Sequence, residues 1–234
     1  MTPNLIVSPA IKFPVEAATR IADEINDILK NKSSIRIALS GGNTPRAVNK
    51  ELVKHDIDWS KVNLYWGDER MVPHTNIDSN YRMNHDSLIN CIKQQPMGIY
   101  AIPYNKSSEM AAELYDNILH ESLGDDLKID IILLGMGDDG HIASLFPGQK
   151  YDDSRFAVAS ISPKIPANRV SLSLPFIAKA AKIFVMINGN TKAERIADVL
   201  NGKSDVPAAK LYRLRPDIIW LLDSAAAHCL TMPG

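Results

Sequence analysis

The stretch Ile129–Gly148, IDIILLGMGDDGHIASLFPG, constrains this chain more than any other. Ile129 to Leu134 is apolar apart from Asp130, a run that suits a strand buried on both faces of a parallel sheet. The character then changes within two residues. Gly135, Gly137 and Gly140 supply a backbone able to take positive φ and to approach a ligand closely. Between and after them stand Asp138, Asp139 and His141, the polar groups best suited to proton transfer, and Pro147-Gly148 ends the pattern. A strand that stops in such a loop reads as an active-site edge at the carboxyl end of an open α/β sheet. The competing reading is a tight turn with solvated acids. His141 favours the first.

Two more apolar runs end the same way. Ile35–Leu39 leads into Ser40-Gly41-Gly42-Asn43-Thr44-Pro45, with Thr44 suited to an N-cap and Pro45 to a first helical residue. Free N–H groups and the positive end of a helix dipole would make the Gly41, Gly42, Asn43 and Thr44 turn an anion site. It lacks the lysine of a P-loop and the third glycine of a dinucleotide fingerprint, so a small phosphorylated or carboxylated ligand is favoured over a nucleotide. Val62–Trp66 leads into Gly67-Asp68-Glu69-Arg70-Met71-Val72-Pro73. There Arg70 can clamp a phosphate or carboxylate, while Asp68 and Glu69 can orient Arg70 or handle a proton. Lys182–Ile187 repeats the arrangement in Asn188-Gly189-Asn190-Thr191-Lys192, where a lysine at a helix start opposes the dipole unless an anion is bound.

The remaining periodicities fill in an alternating chain. Asn4–Val7 reads as an edge strand, and Val15, Ala18, Ala22, Ile25 and Leu29 fall at helical spacing behind Pro14. Asp78-Ser79-Asn80 caps a helix through Leu88, Gln94–Asn105 is a connection, and Ser107–Leu123 is helical. Phe156–Ser160 and Arg169–Leu174 read as strands, the second alternating so that Arg169 is either a solvent-facing residue or an anion ligand. Pro175 opens a helix to Ala181, Ala193–Leu200 is helical, Pro207–Leu211 is extended, Ile218–Leu222 is the last strand, and Ser224–Leu230 a closing helix. The expectation is one α/β domain over residues 1–234 with a mainly parallel sheet flanked by helices, and a small antiparallel addition near Gln149–Ser173.

Formal net charge is −1, so nothing steers the whole molecule toward nucleic acid or an anionic membrane, and anion preference must be local. No apolar run approaches bilayer length, and MTPNLIVSPAIKF lacks the organisation of a signal peptide. Cys91 and Cys229 lie far apart in apolar contexts and read as buried thiols of a reducing compartment. The expected location is the cytoplasm.

SGGNTP at Ser40–Pro45, WGDERMVP at Trp66–Pro73, DSNYRM at Asp78–Met83, LLGMGDDGHIASLFPG at Leu133–Gly148, and the pair Arg169 and Lys192 together resemble the 6-phosphogluconolactonase family. The resemblance covers nearly the whole chain, and the GMGxDGHxASLFP block is its most specific part. It implies an α/β fold shared with glucosamine-6-phosphate deaminase and ribose-5-phosphate isomerase. It also implies hydrolysis of 6-phospho-D-glucono-1,5-lactone in the oxidative pentose phosphate pathway, with a sugar-phosphate substrate and no metal or organic cofactor. The related deaminases carry a block resembling GxDGHIAFNEP, and Phe146 stands where their glutamate would be. A phenylalanine cannot shuttle a proton. A DEY-type deaminase segment likewise contrasts with Asp68-Glu69-Arg70 here. A non-catalytic sugar-phosphate sensor on the same fold would be expected to lack Asp139 and His141 or to carry a basic arm.

For lactone opening, His141 is the expected general base because imidazole titrates near neutrality. A helix start beside it would favour the neutral form. Asp139 or Asp138 is the expected orienting group, Asp139 favoured because the xDGH motif of the family this chain resembles keeps an Asp there, with Asp68 a further catalytic candidate. Backbone N–H groups of the Gly41–Asn43 loop or the Gly135–Gly137 loop can hold an oxyanion. Arg70, Arg169 and Lys192 are the candidate ligands of phosphate or carboxylate, and residue types alone leave open which takes the phosphate. Oligomeric state is likewise left open.

Overall fold

The computed structural model describes residues 3–230. In chain order its elements are β1 (Asn4–Ser8), α1 (Phe13–Leu29), β2 (Ile35–Leu39), α2 (Asn43–Leu52), β3 (Val62–Trp66), β4 (Asp68–Arg70), α3 (Asn80–Asn84), β5 (Gly98–Tyr100), α4 (Ser108–Leu123), β6 (Ile131–Gly135), β7 (Ala157–Ile161), β8 (Asn168–Leu172), α5 (Leu174–Ala178), β9 (Lys182–Ile187), α6 (Ala193–Leu200), α7 (Pro207–Leu214) and β10 (Ile219–Asp223).

Apolar runs too continuous to face water become central strands. Ile131 to Leu134 in β6, Ile183 to Ile187 in β9 and all of β10 are buried, as strands covered by helices on both faces must be. Seven strands pair in the order β1-β10-β9-β6-β2-β3-β5, every pairing parallel. Helix α1 closes one side with a stripe of Phe13, Ala17, Ala18, Ile21, Ala22 and Ile25, spaced three and four apart as a helix face requires. From β2 the chain runs outward through β3 to β5, then returns to place β6 on the other flank of β2. The strand order therefore reverses between β2 and β6, and the loops leaving their carboxyl ends part there to open a crevice. Those loops are SGGNTP and GMGDDGH.

The second sheet has three antiparallel strands in the order β4-β8-β7. It departs from the main sheet at Gly67. The Gly67 N–H donates to Leu39 O of β2 at 2.8 Å, while its carbonyl accepts from Leu172 N of β8 at 2.8 Å. One residue thus belongs to both hydrogen-bond ladders. The antiparallel addition expected near Gln149–Ser173 is present, and it recruits Asp68–Arg70, which had read as a charged loop.

Several local expectations are corrected. Pro207–Leu211 is the start of helix α7 rather than an extended piece: Val206 is extended, Pro207 occupies the first turn, and Ala208, Ala209 and Leu211 face the core. Ser224–Leu230 forms successive turns instead of a closing helix: Asp223 caps its start by accepting from the Ala226 N–H at 2.7 Å, but the segment is too short to propagate. The connection Gln94–Asn105 contains the edge strand β5, whose three residues are too few to show a period. Helix α2 begins two residues early, with Gly42 at its N-cap, so Thr44 lies inside the first turn and makes no capping bond. Cys91 is exposed and Cys229 half-buried, so neither is a core thiol. No helix among the described residues is long and apolar enough to cross a membrane.

Candidate active site

Gly41, Gly42, Asn43, Thr44, Asp68, Arg70, Asp139, His141, Arg169 and Lys192 all line one cavity of about 540 Å³ at the switch point. Five segments supply them: the turns after β2, β6 and β9, and the strands β4 and β8 of the small sheet.

The Asp139–His141 pair is built within three residues. Asp139 Oδ1 accepts from the His141 backbone N–H at 3.1 Å and lies 2.6 Å from the His141 ring Nδ1. Burial pushes the Asp139 carboxyl up, but the His141 backbone N–H, the His141 ring charge and the Nδ1 contact outweigh it and hold the group below its ordinary value. An ionised carboxylate at Nδ1 selects the tautomer that carries its proton there, leaving the Nε2 lone pair for another proton. Gly137 makes room for this: a Cβ at that position would lie 2.1 Å from His141 Cε1. The Phe146 ring packs 4.8 Å from the imidazole at 47°. No helix follows the glycine loop. Ile142 instead forms isolated bridges to Met136 and Leu145, so the helix dipole expected at His141 is not supplied by its own segment. Asp138 turns away from the ring: its Oδ1 is 3.3 Å from Thr191 Oγ1, and its carbonyl accepts from Arg195 Nε at 3.2 Å.

Asp68 sits on the opposite wall, 7% exposed. Its Oδ2 accepts from Ser144 Oγ at 2.6 Å and its Oδ1 from Asn80 Nδ2 at 3.2 Å. Both oxygens are committed, which holds the carboxylate in one orientation beside the cavity. Asn80 is placed in turn by Glu69, the most buried acid of the region at 1% exposure. Glu69 accepts from the N–H groups of Arg70, Asn80 and Tyr81 at 2.7 Å each, and from Ser79 Oγ at 2.9 Å. Burial pushes its carboxyl up, opposed by those four donors. The Asn80 amide is packed so closely under Gly41 that a Cβ there would come within 1.8 Å of Asn80 Oδ1. Ser79, Asn80 and Ser144 read in sequence only as a cap and as small filler; their spacing from Asp68 gives no signal, since the chain must fold before they meet.

Three cations point at the same space. Arg70 and Arg169 are register partners across β4 and β8, an arrangement of like charges that is unfavourable by itself. Arg169 is 7% exposed, and among the described residues its side chain makes no hydrogen bond or ion pair, its buried Nε included. Burial and the neighbouring Arg70 push its guanidinium down to about 10, against the opposing pull of Asp68, Glu69 and Asp78; it remains charged near neutrality. The solvent-facing reading of Arg169 is thereby set aside. Arg70 spends Nη1 on the Asp78 carbonyl at 2.5 Å, and its buried Nε has no partner among the described residues. Lys192 ends the turn before α6, where burial lowers its ammonium below the ordinary lysine value and Asp138 offsets part of the effect. A buried unpaired cation is costly until an anion joins it. The amide donors are narrowed too. Gly137 N–H is occupied by the His141 carbonyl at 2.9 Å, whereas Gly42 and Asn43 N–H groups at the α2 start have no acceptor among the described residues.

An imidazole–carboxylate pair, open amides and three cations around one crevice are groups suited to hydrolytic or isomerising chemistry on a small anion. The chain belongs to the family described as glucosamine-6-phosphate isomerases/6-phosphogluconolactonase, whose model matches residues 12–220. It is 33% identical to 6-phosphogluconolactonase 3, chloroplastic, of Arabidopsis thaliana, over 92% of this chain and 71% of that one. It is also 33% identical to 6-phosphogluconolactonase of Streptomyces coelicolor, over 98% of this chain and 95% of that one. In fold it matches 6-phosphogluconolactonase from Trypanosoma cruzi with a TM-score of 0.87 at 24% identity, over 99% and 98% of the two chains.

Proposed function

We propose that this chain hydrolyses 6-phospho-D-glucono-1,5-lactone to 6-phosphogluconate, with His141 as general base. The observation that carries the mechanism is the shared cavity: the Asp139-backed imidazole faces the same space as the unpaired Arg169. The relatives named above support the choice of reaction within the family.

In this reading His141 Nε2 takes a proton from water as its oxygen attacks the lactone carbonyl carbon. Asp139 steadies the resulting imidazolium. The negative charge that develops on the carbonyl oxygen is met by the N–H groups of Gly42 and Asn43 at the positive end of α2. Collapse of the tetrahedral intermediate breaks the bond from that carbon to the ring oxygen, and the imidazolium returns its proton to the leaving oxygen. Arg70, Arg169 and Lys192 hold the phosphate and, after ring opening, the new carboxylate. Asp68, fixed by Ser144 and Asn80, balances part of the charge of this cationic wall. The location is read as cytoplasmic.

Titrating acid release at constant pH from freshly prepared 6-phosphogluconolactone, with spontaneous opening subtracted, tests the assignment. Acid release no faster than the blank would reject it. Ammonia or ketose production from glucosamine 6-phosphate would move the chain to the isomerising branch, against which the apolar Phe146 beside His141 argues.

A further inference from the structure

Three surfaces hold the His141 ring. Asp139 anchors Nδ1, the bare Cα of Gly137 lies against its edge, and the Phe146 ring lies against its face. The first two sit on the same short turn as the histidine. Phe146 does not: it follows Ala143, whose φ of 47° lies in the left-handed region, in a segment that forms no named strand or helix. Something outside that segment must fix it.

The Phe146 N–H donates to the Tyr151 phenol oxygen at 2.8 Å. Tyr151 O–H donates to Gln149 Oε1 at 3.2 Å. Gln149 then grips the end of β7 at two points: its Nε2 donates to the Ile161 carbonyl at 2.5 Å, and its Oε1 accepts from the Ile161 N–H at 3.3 Å. Ile161 opens the hairpin whose Ser162, Pro163 and Lys164 line the far side of the cavity. A continuous polar strut therefore runs from the antiparallel sheet to the backbone beneath Phe146, and the ring of Phe146, 6% exposed, passes the constraint to the imidazole.

We infer that Tyr151 is a positioning residue: its phenol fixes the Phe146 backbone so that the Phe146 ring sets the tilt of His141 and the aim of Nε2. The inference rests on the proposed role of His141 as base. It touches neither substrate nor reacting atoms, so its effect falls on turnover and not on substrate binding. A displacement of about 1 Å at a reacting group costs up to roughly 100-fold, and loss of one strut bond frees less than that. Tyr151→Phe keeps the ring and deletes the oxygen.

The expected result for Tyr151→Phe is kcat lowered about fivefold to tenfold with KM changed by less than about twofold. Gln149→Leu should act in the same direction and more weakly. The discriminating signature is the proton spectrum of the His141 ring, assigned by its disappearance in His141→Ala: ring-current shifts from Phe146 should shrink in Tyr151→Phe well below the melting temperature. A purely structural Tyr151 would lower the melting temperature and leave kcat and those resonances unchanged, which overturns the inference. Should His141→Ala itself retain wild-type turnover, the base assignment fails. The ring resonances of Tyr151→Phe then still report whether the strut holds the imidazole.

Discussion

The two walls of the crevice are built on opposite principles. The wall from the parallel sheet is made of glycine turns at the carboxyl ends of β2 and β6, and what it offers is backbone: open N–H groups, a helix start, and an imidazole aimed by a neighbour two residues away. The wall from the antiparallel sheet is made of side chains held in strand register. Arg70 and Arg169 are paired across β4 and β8, over the buried Glu69 with its four donors. Local chain geometry suffices to place a proton carrier. Placing two like charges together needs a ladder, a buried counter-charge and, in the end, a ligand. Under the proposed function the proton carrier stands on the parallel sheet and the paired arginines on the antiparallel one, the two sheets joined at Gly67, while Lys192 reaches the same cavity from the turn after β9.

That division is open to attack from both sides, and the parallel-sheet wall should yield the largest effect. His141→Ala is expected to reduce kcat by roughly 10²–10⁴-fold while binding of a non-hydrolysable phosphorylated ligand stays near wild type. Equal losses in both would mean that the walls do not divide the work. On the other wall, Arg169→Ala should raise KM about 10–100-fold, the value of a charge-assisted contact, with a much smaller change in kcat. Steady-state kinetics separates the two, and a selective kcat defect would assign Arg169 to the chemistry instead.

Glu69→Gln probes the ladder beneath the cations. The amide turns two of its hydrogens toward N–H donors, so unfolding by denaturant should show a loss of about 2–3 kcal/mol. Unchanged stability would mean the four donors are satisfied without the charge. The smallest expected effect is a pH dependence. Burial lowers the Lys192 ammonium from 10.5. As pH rises from its folded value toward 10.5, the folded chain loses this proton while the unfolded chain keeps it, so stability of the free protein rises across that window. Ligand affinity should fall over the same window, at lower pH than for an ordinary lysine, and Lys192→Arg should move the fall upward. Calorimetric titration of a phosphorylated ligand from neutral to alkaline pH checks this. Affinity constant up to the ordinary lysine range would remove Lys192 from the site.

The parallel-sheet wall was also the more legible in sequence. Its strands are unbroken apolar runs, its turns are glycine clusters, and Asp139 and His141 are near neighbours, so motif, element and site coincide in one stretch of text. Helix α7 is hard to see in the sequence because Pro207 suits an extended piece as well as a first helical turn, and the eight residues are too few to show a clear period. The small sheet was legible only as irregularity. Asp68–Arg70 is too short to show alternation, and its partner lies about a hundred residues away at Asn168–Leu172. Asn80 and Ser144 lie inside the DSNYRM and GMGDDGHIASLFP blocks, but their roles carry no sequence signal, because each acts through the Asp68 oxygen it meets only in the fold.

What the sequence determined by itself was local: which runs must be buried on both faces, where the backbone must turn sharply, and that His141 has two acids on its own turn to choose between. Tertiary structure alone decided that Arg70 and Arg169 stand side by side with no ion pair to either among the described residues, that Asp68 has both oxygens engaged, and that Tyr151 reaches under Phe146. The reason is physical. Contacts within a turn are fixed by bond geometry and φ/ψ preference, which residue types encode directly. Contacts between sheets depend on strand order and register, which no single segment contains.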